Sequence, residues 1–271
     1  MTTIHTHYIL DKYCKNIGLP GVNEALCGQQ GLPTFDKFNA TYDFPDLTEQ
    51  VPKVIHFVWI GSPISYKYVK NIEKFVATNK KRDFSFILWV DNDTPSIENV
   101  SIKDIRTDFP AATFINKEIY DIETNWSSKA DILKYELIYH VGGIYSDLDA
   151  HSIKAYDSIF EKSFVCYSEA PYNDIGTCFF GFPAGSRFLR YVIDCLREVR
   201  TYSYDYSKFE TKLRVVLLTG PILFTQCFKN YKDPTIQMIN QDIVVLNKNN
   251  PDAYSYHTFD SMLPTGWHNQ K

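Results

Sequence analysis

Residues 54–90 read VIHFVWIGSPISYKYVKNIEKFVATNKKRDFSFILWV, and this stretch decides the fold. Val54 to Ile60 is an unbroken apolar run rich in β-branched and aromatic side chains, as a strand buried on both faces requires. Gly61-Ser62-Pro63 ends it. Tyr68, Ile72, Phe75 and Val76 then recur at helical spacing and predict a helix over residues 64–79. Ser85–Val90 (SFILWV) reads as a second buried strand. Strand, helix and strand with short connections make a βαβ unit, so a parallel sheet is expected. Ligands of such sheets bind beyond the C-terminal ends of the strands, where Trp59 and Asp91 fall.

The whole chain fits that beginning. Its 271 residues, 44% hydrophobic and 22% charged, suit one folded α/β domain with a core of its own. Residues 1–51 differ in texture, with Gly-Leu-Pro at 18–20 and again at 31–33, and read as an N-terminal extension with a short helix near 3–16. Residues 52–271 form the domain. The net charge of −4 and the lack of a basic block argue against nucleic acid as a partner. No signal-peptide run and no apolar stretch of membrane-spanning length is present, so a cytoplasmic location is expected. None of the six cysteines has C-x-x-C spacing, so free thiols are expected. Aromatic residues make up 15%, with 19 Tyr and 19 Phe; most read as core, and a few as surfaces that stack on sugars or bases.

Further along, residues 127–150 read SSKADILKYELIYHVGGIYSDLDA. Ser127 or Ser128 is placed to cap a helix, and Ser128 with Asp131 fits a capping box. Ala130, Leu133, Leu137 and Val141 line one face, and Gly142-Gly143 stops the helix. Ile144 to Ala150 reads as a strand, on which Tyr145, Asp147 and Asp149 share a face. Downstream, strands are expected near 164–168, 178–182 and 243–246, with a helix over 186–200 and another from Thr219-Gly220-Pro221. The polar tail from His257 to His268 has the composition of a functional loop.

Two carboxylates on one strand face cannot relax by pairing with each other. A hard divalent cation set between them and the oxygens of a phosphate would resolve the repulsion, and Mg²⁺ or Mn²⁺ fits such oxygens. A histidine ligand tilts the choice towards Mn²⁺. D-x-D is a weak signal alone, and Asp91-Asn92-Asp93 is a second copy. That copy runs into Thr94-Pro95 and reads as a turn. Asp147 and Asp149 follow a capped helix, a Gly-Gly stop and an aromatic residue.

That context carries a resemblance. Lys129 to Leu137 followed by Gly142 to Asp149 resembles the DXD sugar-binding region of family 32 glycosyltransferases, which the glucosyltransferase domains of large clostridial toxins share. Val54 to Gly61 is similar to the opening strand of those families, and Thr219-Gly220-Pro221 to a later motif. His257 with Gly266-Trp267 resembles the C-terminal loop, with extra residues in between.

The resemblance implies a GT-A fold, a Rossmann-like mixed sheet flanked by helices. It implies transfer of a sugar, with retention of anomeric configuration, from a nucleotide-sugar donor to a glycan or protein acceptor. A UDP-sugar is favoured and a GDP-sugar is the other choice. On this reading Trp59, with Ile60 beside it, stacks on the donor base. Tyr145, Gly220 and Trp267 also line the donor site, and Trp267 closes over it as a lid. Asp131 bonds sugar hydroxyls. Lys134 stands where the family usually has arginine, so a forked contact becomes a point charge. Asp147 contacts ribose and sugar or holds the metal through water, Asp149 is the direct metal ligand, and His257 or His268 completes the sphere. Asn173 and Asp174 are within reach of the reacting sugar. Two other readings stay open. A haloacid-dehalogenase-type phosphatase also places D-x-D after a strand, but Ala150-His151 follows here and no later acidic motif matches. An inactive sugar- or nucleotide-binding module is the other, and the intact aspartate pair argues against it.

Overall fold

A computed structural model describes residues 50–109, 112–167, 174–201, 211–245 and 249–260. The expected helix near 3–16, together with Asn173, Trp267 and His268, lies outside them. The βαβ unit is present: strand β1 (Val54–Trp59), helix α1 (Tyr66–Asn79) and strand β2 (Ser85–Val90), with β1 and β2 parallel. Strand β3 (Ser101–Asp104), helices α2 (Lys117–Ile122) and α3 (Trp126–Val141), and strand β4 (Gly143–Ser146) follow. Next come β5 (Ala150–Ser152), β6 (Phe164–Tyr167), β7 (Ile175–Phe182), α4 (Arg187–Thr201), α5 (Thr211–Leu218), α6 (Pro221–Tyr231), β8 (Gln237–Asn240) and β9 (Ser255–His257).

Seven strands form the main sheet in the order β3-β2-β1-β4-β7-β6-β8, and β5 pairs with β9 in a small ribbon. Only β7 runs against the rest of the main sheet. Side chains alternate along each strand and feed two cores. Ile55, Phe57 and Trp59 of β1 join α1 on one face, while Val58 and Ile60 join α3, α4 and α6 on the other. In β7, Phe179 enters the first core and Phe180 and Phe182 the second. Most of the aromatic surplus is therefore packing. Tyr156, Phe160, Phe164 and Phe179 touch one another on the α1 face, and Tyr135, Phe180, Phe188 and Phe224 on the α3 face.

The chain leaves β1 for β2 on one side and reaches β4 on the other. The strand order thus reverses between β1 and β4, and a crevice opens beyond their C-terminal ends. The α3–β4 connection is fixed from beneath. Gly142 and Gly143 adopt φ of 73° and 111°, and a Cβ on Gly143 would sit 2.6 Å from the Val54 carbonyl oxygen. Buried His56 takes the Trp89 indole N–H on Nδ1 at 3.0 Å, so its Nε2–H donates to the Gly142 carbonyl at 3.0 Å. Burial lowers the His56 pKa to about 4.

Three expectations are corrected. The cap of α3 is Asn125, whose side chain accepts the Ser128 amide at 3.0 Å, so Ser127 and Ser128 lie within the helix and Asp131 is free for other partners. The strand expected over 144–150 breaks after Ser146, because the Ala150 amide turns back to the Asp147 carbonyl at 3.2 Å. The late strand is β8 at 237–240 rather than 243–246. Asn240 accepts the Asp242 amide and starts a tight helical turn there, so the apolar pair Val244 and Val245 is buried without extending the sheet. Among the described residues no helix is long and apolar enough to cross a membrane.

Glu136 of α3, fully buried, accepts the amides of Ile115 at 3.1 Å and Asn116 at 2.8 Å. Burial raises its pKa to about 7, against the pull of those amides. Folding therefore favours protonated Glu136, a stabilising effect lost as pH rises from 4.5 to about 7. His56 acts oppositely: folding favours its neutral form, and stability is lost as pH falls from 6.5 to about 4. The two slopes cancel where they overlap. Glu136→Gln should steepen the loss of stability on acidification by up to about 1.4 kcal/mol per pH unit relative to wild type. Urea melts of wild type and variant between pH 5 and 6 read it; equal slopes would refute the opposition.

Candidate active site

At the end of β4 the chain makes one further sheet bond, from the Asp147 amide to the Cys178 carbonyl at 2.9 Å, and then turns. Leu148 points into the α1 core, and its carbonyl accepts the Asn71 side-chain amide at 2.9 Å. The turn swings Asp147 and Asp149 to one side, where β9 brings His257. Its Nε2 stands 3.2 Å from Asp147 Oδ2 and 2.9 Å from Asp149 Oδ1. Ligand atoms of the three side chains lie within 4.8 Å of one another. Two carboxylates and an imidazole make a donor set suited to a divalent cation, with the nitrogen favouring Mn²⁺ over Mg²⁺.

The electrostatics follow from burial and proximity. Burial opposes the charge on His257, but bonds to Asp147 and Asp149 outweigh it and raise its pKa to about 9. The Phe259 amide donates to Nδ1 at 2.9 Å and favours the neutral ring. Both forms carry a hydrogen on Nε2, aimed at the carboxylates. Asp147 is half-buried, and His257, Lys134 and Tyr145 hold its pKa below the ordinary carboxylate value against the effect of desolvation. The Tyr145 hydroxyl donates to Asp147 Oδ1 at 2.6 Å.

Behind Tyr145 lies a buried pair on α3. Lys134 Nζ is 2.5 Å from Asp131 Oδ1 and 5.0 Å from the centre of the Tyr145 ring. Burial works against the lysine charge, but Asp131 and Asp147 together raise its pKa above the usual lysine value. Asp131 Oδ2 accepts the Thr219 hydroxyl at 2.9 Å. Gly220 caps α6 with Pro221 in its first turn, and a Cβ on Gly220 would meet Asp131 Oδ2 at 3.5 Å. The motif thus sets a helix N-terminus, which favours negative charge, beside this carboxylate.

Asp131, Lys134, Tyr145, Asp147, Asp149, Gly220 and His257 are therefore gathered at one place. Trp59 lies at the end of β1 on the α1 face and is only 8% exposed. Its N–H donates to the Ser62 carbonyl at 2.7 Å, and its ring tilts against Tyr68 with centroids 4.8 Å apart. Ile60 is buried on the opposite face. Asp174 directly precedes β7. Asp91 braces the loop after β1: both its oxygens accept the Gly61 amide, at 2.9 and 3.0 Å.

Sequence reasoning missed Asp260. Its backbone amide donates to Asp149 Oδ2 at 2.8 Å, and the Thr258 amide to the Asp149 carbonyl at 3.1 Å. The Asp260 carboxylate accepts the Tyr68 hydroxyl at 3.1 Å and pairs with Lys67, both from α1. Asp260 thereby ties the 257–260 segment to α1 and fixes one oxygen of Asp149. The polar tail was recognisable by composition, but which member faced inward depended on a contact across 193 residues of chain.

Comparisons with known proteins bear on this geometry. Residues 65–165 match the family model of the glycosyltransferase sugar-binding region containing DXD motif. The matched stretch runs from α1 to β6 and includes Asp131, Lys134, Asp147 and Asp149. The chain is 25% identical over 250 residues to mannosyl phosphorylinositol ceramide synthase CSH1 of Saccharomyces cerevisiae, covering 90% of this chain and 60% of that protein. It is 26% identical to inositol phosphoceramide mannosyltransferase 3 of Schizosaccharomyces pombe, covering 80% and 56%. The chain thus spans less than two thirds of the length of these curated relatives. Among solved structures, the PaToxG glycosyltransferase aligns with a TM-score of 0.56 at 23% identity, covering 68% of this chain and 71% of that one. The UDP-bound glycosyltransferase domain of the YGT toxin aligns at 0.52 and 10% identity, covering 70% and 80%. These likenesses show the fold, which is GT-A.

Because Asp260 and Lys67 orient the segment that carries His257, their loss should loosen the donor set without unfolding the domain. Asp260→Ala is expected to weaken Mn²⁺ binding in calorimetry by about 10- to 100-fold, the usual scale for outer groups at metal sites. Unchanged affinity would show that the segment is held by other contacts.

Proposed function

We propose that this chain is a metal-dependent, retaining glycosyltransferase that moves a sugar from a nucleotide-sugar donor to a hydroxyl acceptor. The observation that carries the reading is the convergence of Asp147, Asp149 and His257 beside the buried Asp131–Lys134 pair, inside a stretch that matches a DXD sugar-binding region. Asp147 and Asp149 would hold the divalent cation, and His257 would join them through Nε2 on giving up the proton it carries there and releasing the Phe259 amide from Nδ1. When bound, that cation supplies Lewis-acid neutralisation of the diphosphate as it departs.

This chain's own groups would do the rest. Lys134, kept charged by Asp131 and Asp147, adds fixed positive potential in a site sheltered from water, where a preorganised charge acts most strongly. Tyr145 orients Asp147 through its hydroxyl. The second oxygen of Asp131 is held by Thr219, so that carboxylate meets a sugar hydroxyl in one fixed orientation. Trp59 and Trp267 would stack on the donor, Ile60 and Gly220 would shape the same site, and His268 would be a further ligand.

The names of the fungal relatives describe mannosyl transfer to inositol phosphoceramide. They favour mannose as the sugar, and they add a lipid-borne hydroxyl to the glycan and protein acceptors that the sequence suggests. GDP-mannose accordingly joins UDP-sugars in the donor panel.

The test is a panel of UDP- and GDP-sugars with Mn²⁺, read by release of nucleoside diphosphate and by thermal shift, since a bound ligand raises the melting point. Asp149→Ala should keep its circular dichroism and lose at least about a hundredfold in turnover, in line with several kcal/mol of lost charge stabilisation. Asp91→Ala should keep turnover within a few-fold, its carboxylate being spent on Gly61. A panel with neither binding nor turnover would sink the proposal, and the reverse pattern of the two variants would assign the chemistry to the other D-x-D.

A further inference from the structure

Helix α1 has two faces of opposite character. Tyr68, Ile72, Phe75 and Val76 are buried in the core, while Tyr66, Lys67, Lys70 and Lys74 are exposed. The exposed stripe continues past the helix through Lys80, Lys81 and Arg82. Between Lys67 and Arg82 there are six basic residues and one acidic residue, Glu73, in a chain whose net charge is −4. The charge is thus segregated: this surface is positive and the remainder of the molecule is more negative than the total suggests.

Lys67 is already paired with Asp260, which leaves Lys70, Lys74 and Lys80–Arg82 to carry the charge of this face. Lys70 pairs with Glu73 at 2.6 Å, but both side chains are well exposed, and such pairs are weak in water. Tyr66 is 73% exposed, and the Lys70 ammonium lies 5.1 Å from its ring centre. Strand β5 packs against α1, and Ile153 just after it is a further exposed apolar side chain. Lysines with long apolar stems, an outward tyrosine and a nearby aliphatic group make a surface suited to a headgroup layer, where the stems and ring sit at the boundary and the ammonium groups meet phosphate.

We propose that the outer face of α1, continued through Lys80–Arg82, docks on an anionic bilayer surface. A helix side is convex and offers no groove for a peptide, whereas a plane of phosphate headgroups complements its row of ammonium groups. The position matters. The N-terminal end of α1 follows β1 at the rim of the crevice; Asn71 contacts Leu148 from the buried side of the helix, and the exposed Lys67 reaches Asp260. Docking on this face holds the crevice next to the headgroup layer. The surface and its test stand apart from the transferase reading, since binding to vesicles needs no donor and no turnover.

The experiment is co-sedimentation of the full chain with vesicles of phosphatidylcholine alone and of phosphatidylcholine mixed with phosphatidylserine, at low and high salt. Wild type should bind the anionic vesicles, leave the neutral ones and be released by salt, as the short screening length requires. Lys70→Glu combined with Lys74→Glu should weaken binding at least about tenfold, at the same melting point, given the contribution of each lysine near an anionic surface. The corresponding glutamine pair covers the case in which charge reversal disturbs the helix, and should weaken binding in the same direction. Absence of binding to anionic vesicles, equal binding to neutral ones, or a double variant that binds like wild type would each overturn the proposal. Retention on soluble poly-glutamate without vesicle binding would overturn it too, and would assign the face to an acidic protein.

Discussion

A buried carboxylate is stable only where something answers its charge, and two of them side by side double the requirement. At about 4 Å two like charges repel by about 4 kcal/mol even at an effective dielectric of 20. Asp149, buried, and Asp147, half-buried beside it, present that problem at the end of β4, and much of the surrounding structure is a response to it. His257 reaches both with one nitrogen, Tyr145 donates to one, and the Asp260 amide donates to the other. The β5–β9 ribbon packs on α1 and brings His257 opposite Ala150, one residue past the pair.

The sheet supplies the place where such a cluster can face outward. Strand order reverses between β1 and β4, so helices leave to opposite faces and the carboxylates stand at the gap. The gap is rigid because its floor is over-determined. His56 bonds the Gly142 carbonyl from below, and Gly143 leaves no room for a side chain beside the Val54 carbonyl. The aromatic cores on both faces then leave the rim little freedom to shift, since interiors packed to this density deform poorly.

How much of this was legible in the sequence depends on the range of the interaction. The βαβ unit was legible because β1 and β2 are continuous apolar runs and α1 has a clean helical period. The Gly-Gly stop was legible because glycine alone suits those φ values. Three local readings failed for local reasons: Asn125 outcompeted two serines as the cap, a turn bond from Ala150 to Asp147 broke an apparent strand, and Asn240 began a helical turn where a strand from 243 was expected. The second of these left the site intact, because the turn after Asp147 delivers both carboxylates to one side much as alternation along a strand would have done. Asp260, by contrast, had no signature. Its role rests on Lys67 and Tyr68, nearly 200 residues earlier, and composition alone could mark the tail but not the residue.

The charge balance of the site points in one direction. Asp131, Asp147, Asp149 and Asp260 carry four negative charges; Lys134 and Lys67 answer two, one through Asp131 and one through Asp260. What is left is the Asp147–Asp149 pair, with His257 as its remaining partner. A proton on His257 reduces the deficit by one charge, and the carboxylates favour that proton. A divalent cation would remove the deficit altogether, and it would claim the carboxylate oxygens that the His257 Nε2–H now uses. The proton and the cation therefore answer the same repulsion and compete for it. A single imidazolium leaves one carboxylate charge unanswered, which is why the donor set of Asp147, Asp149 and His257 suits a divalent ion better than a proton.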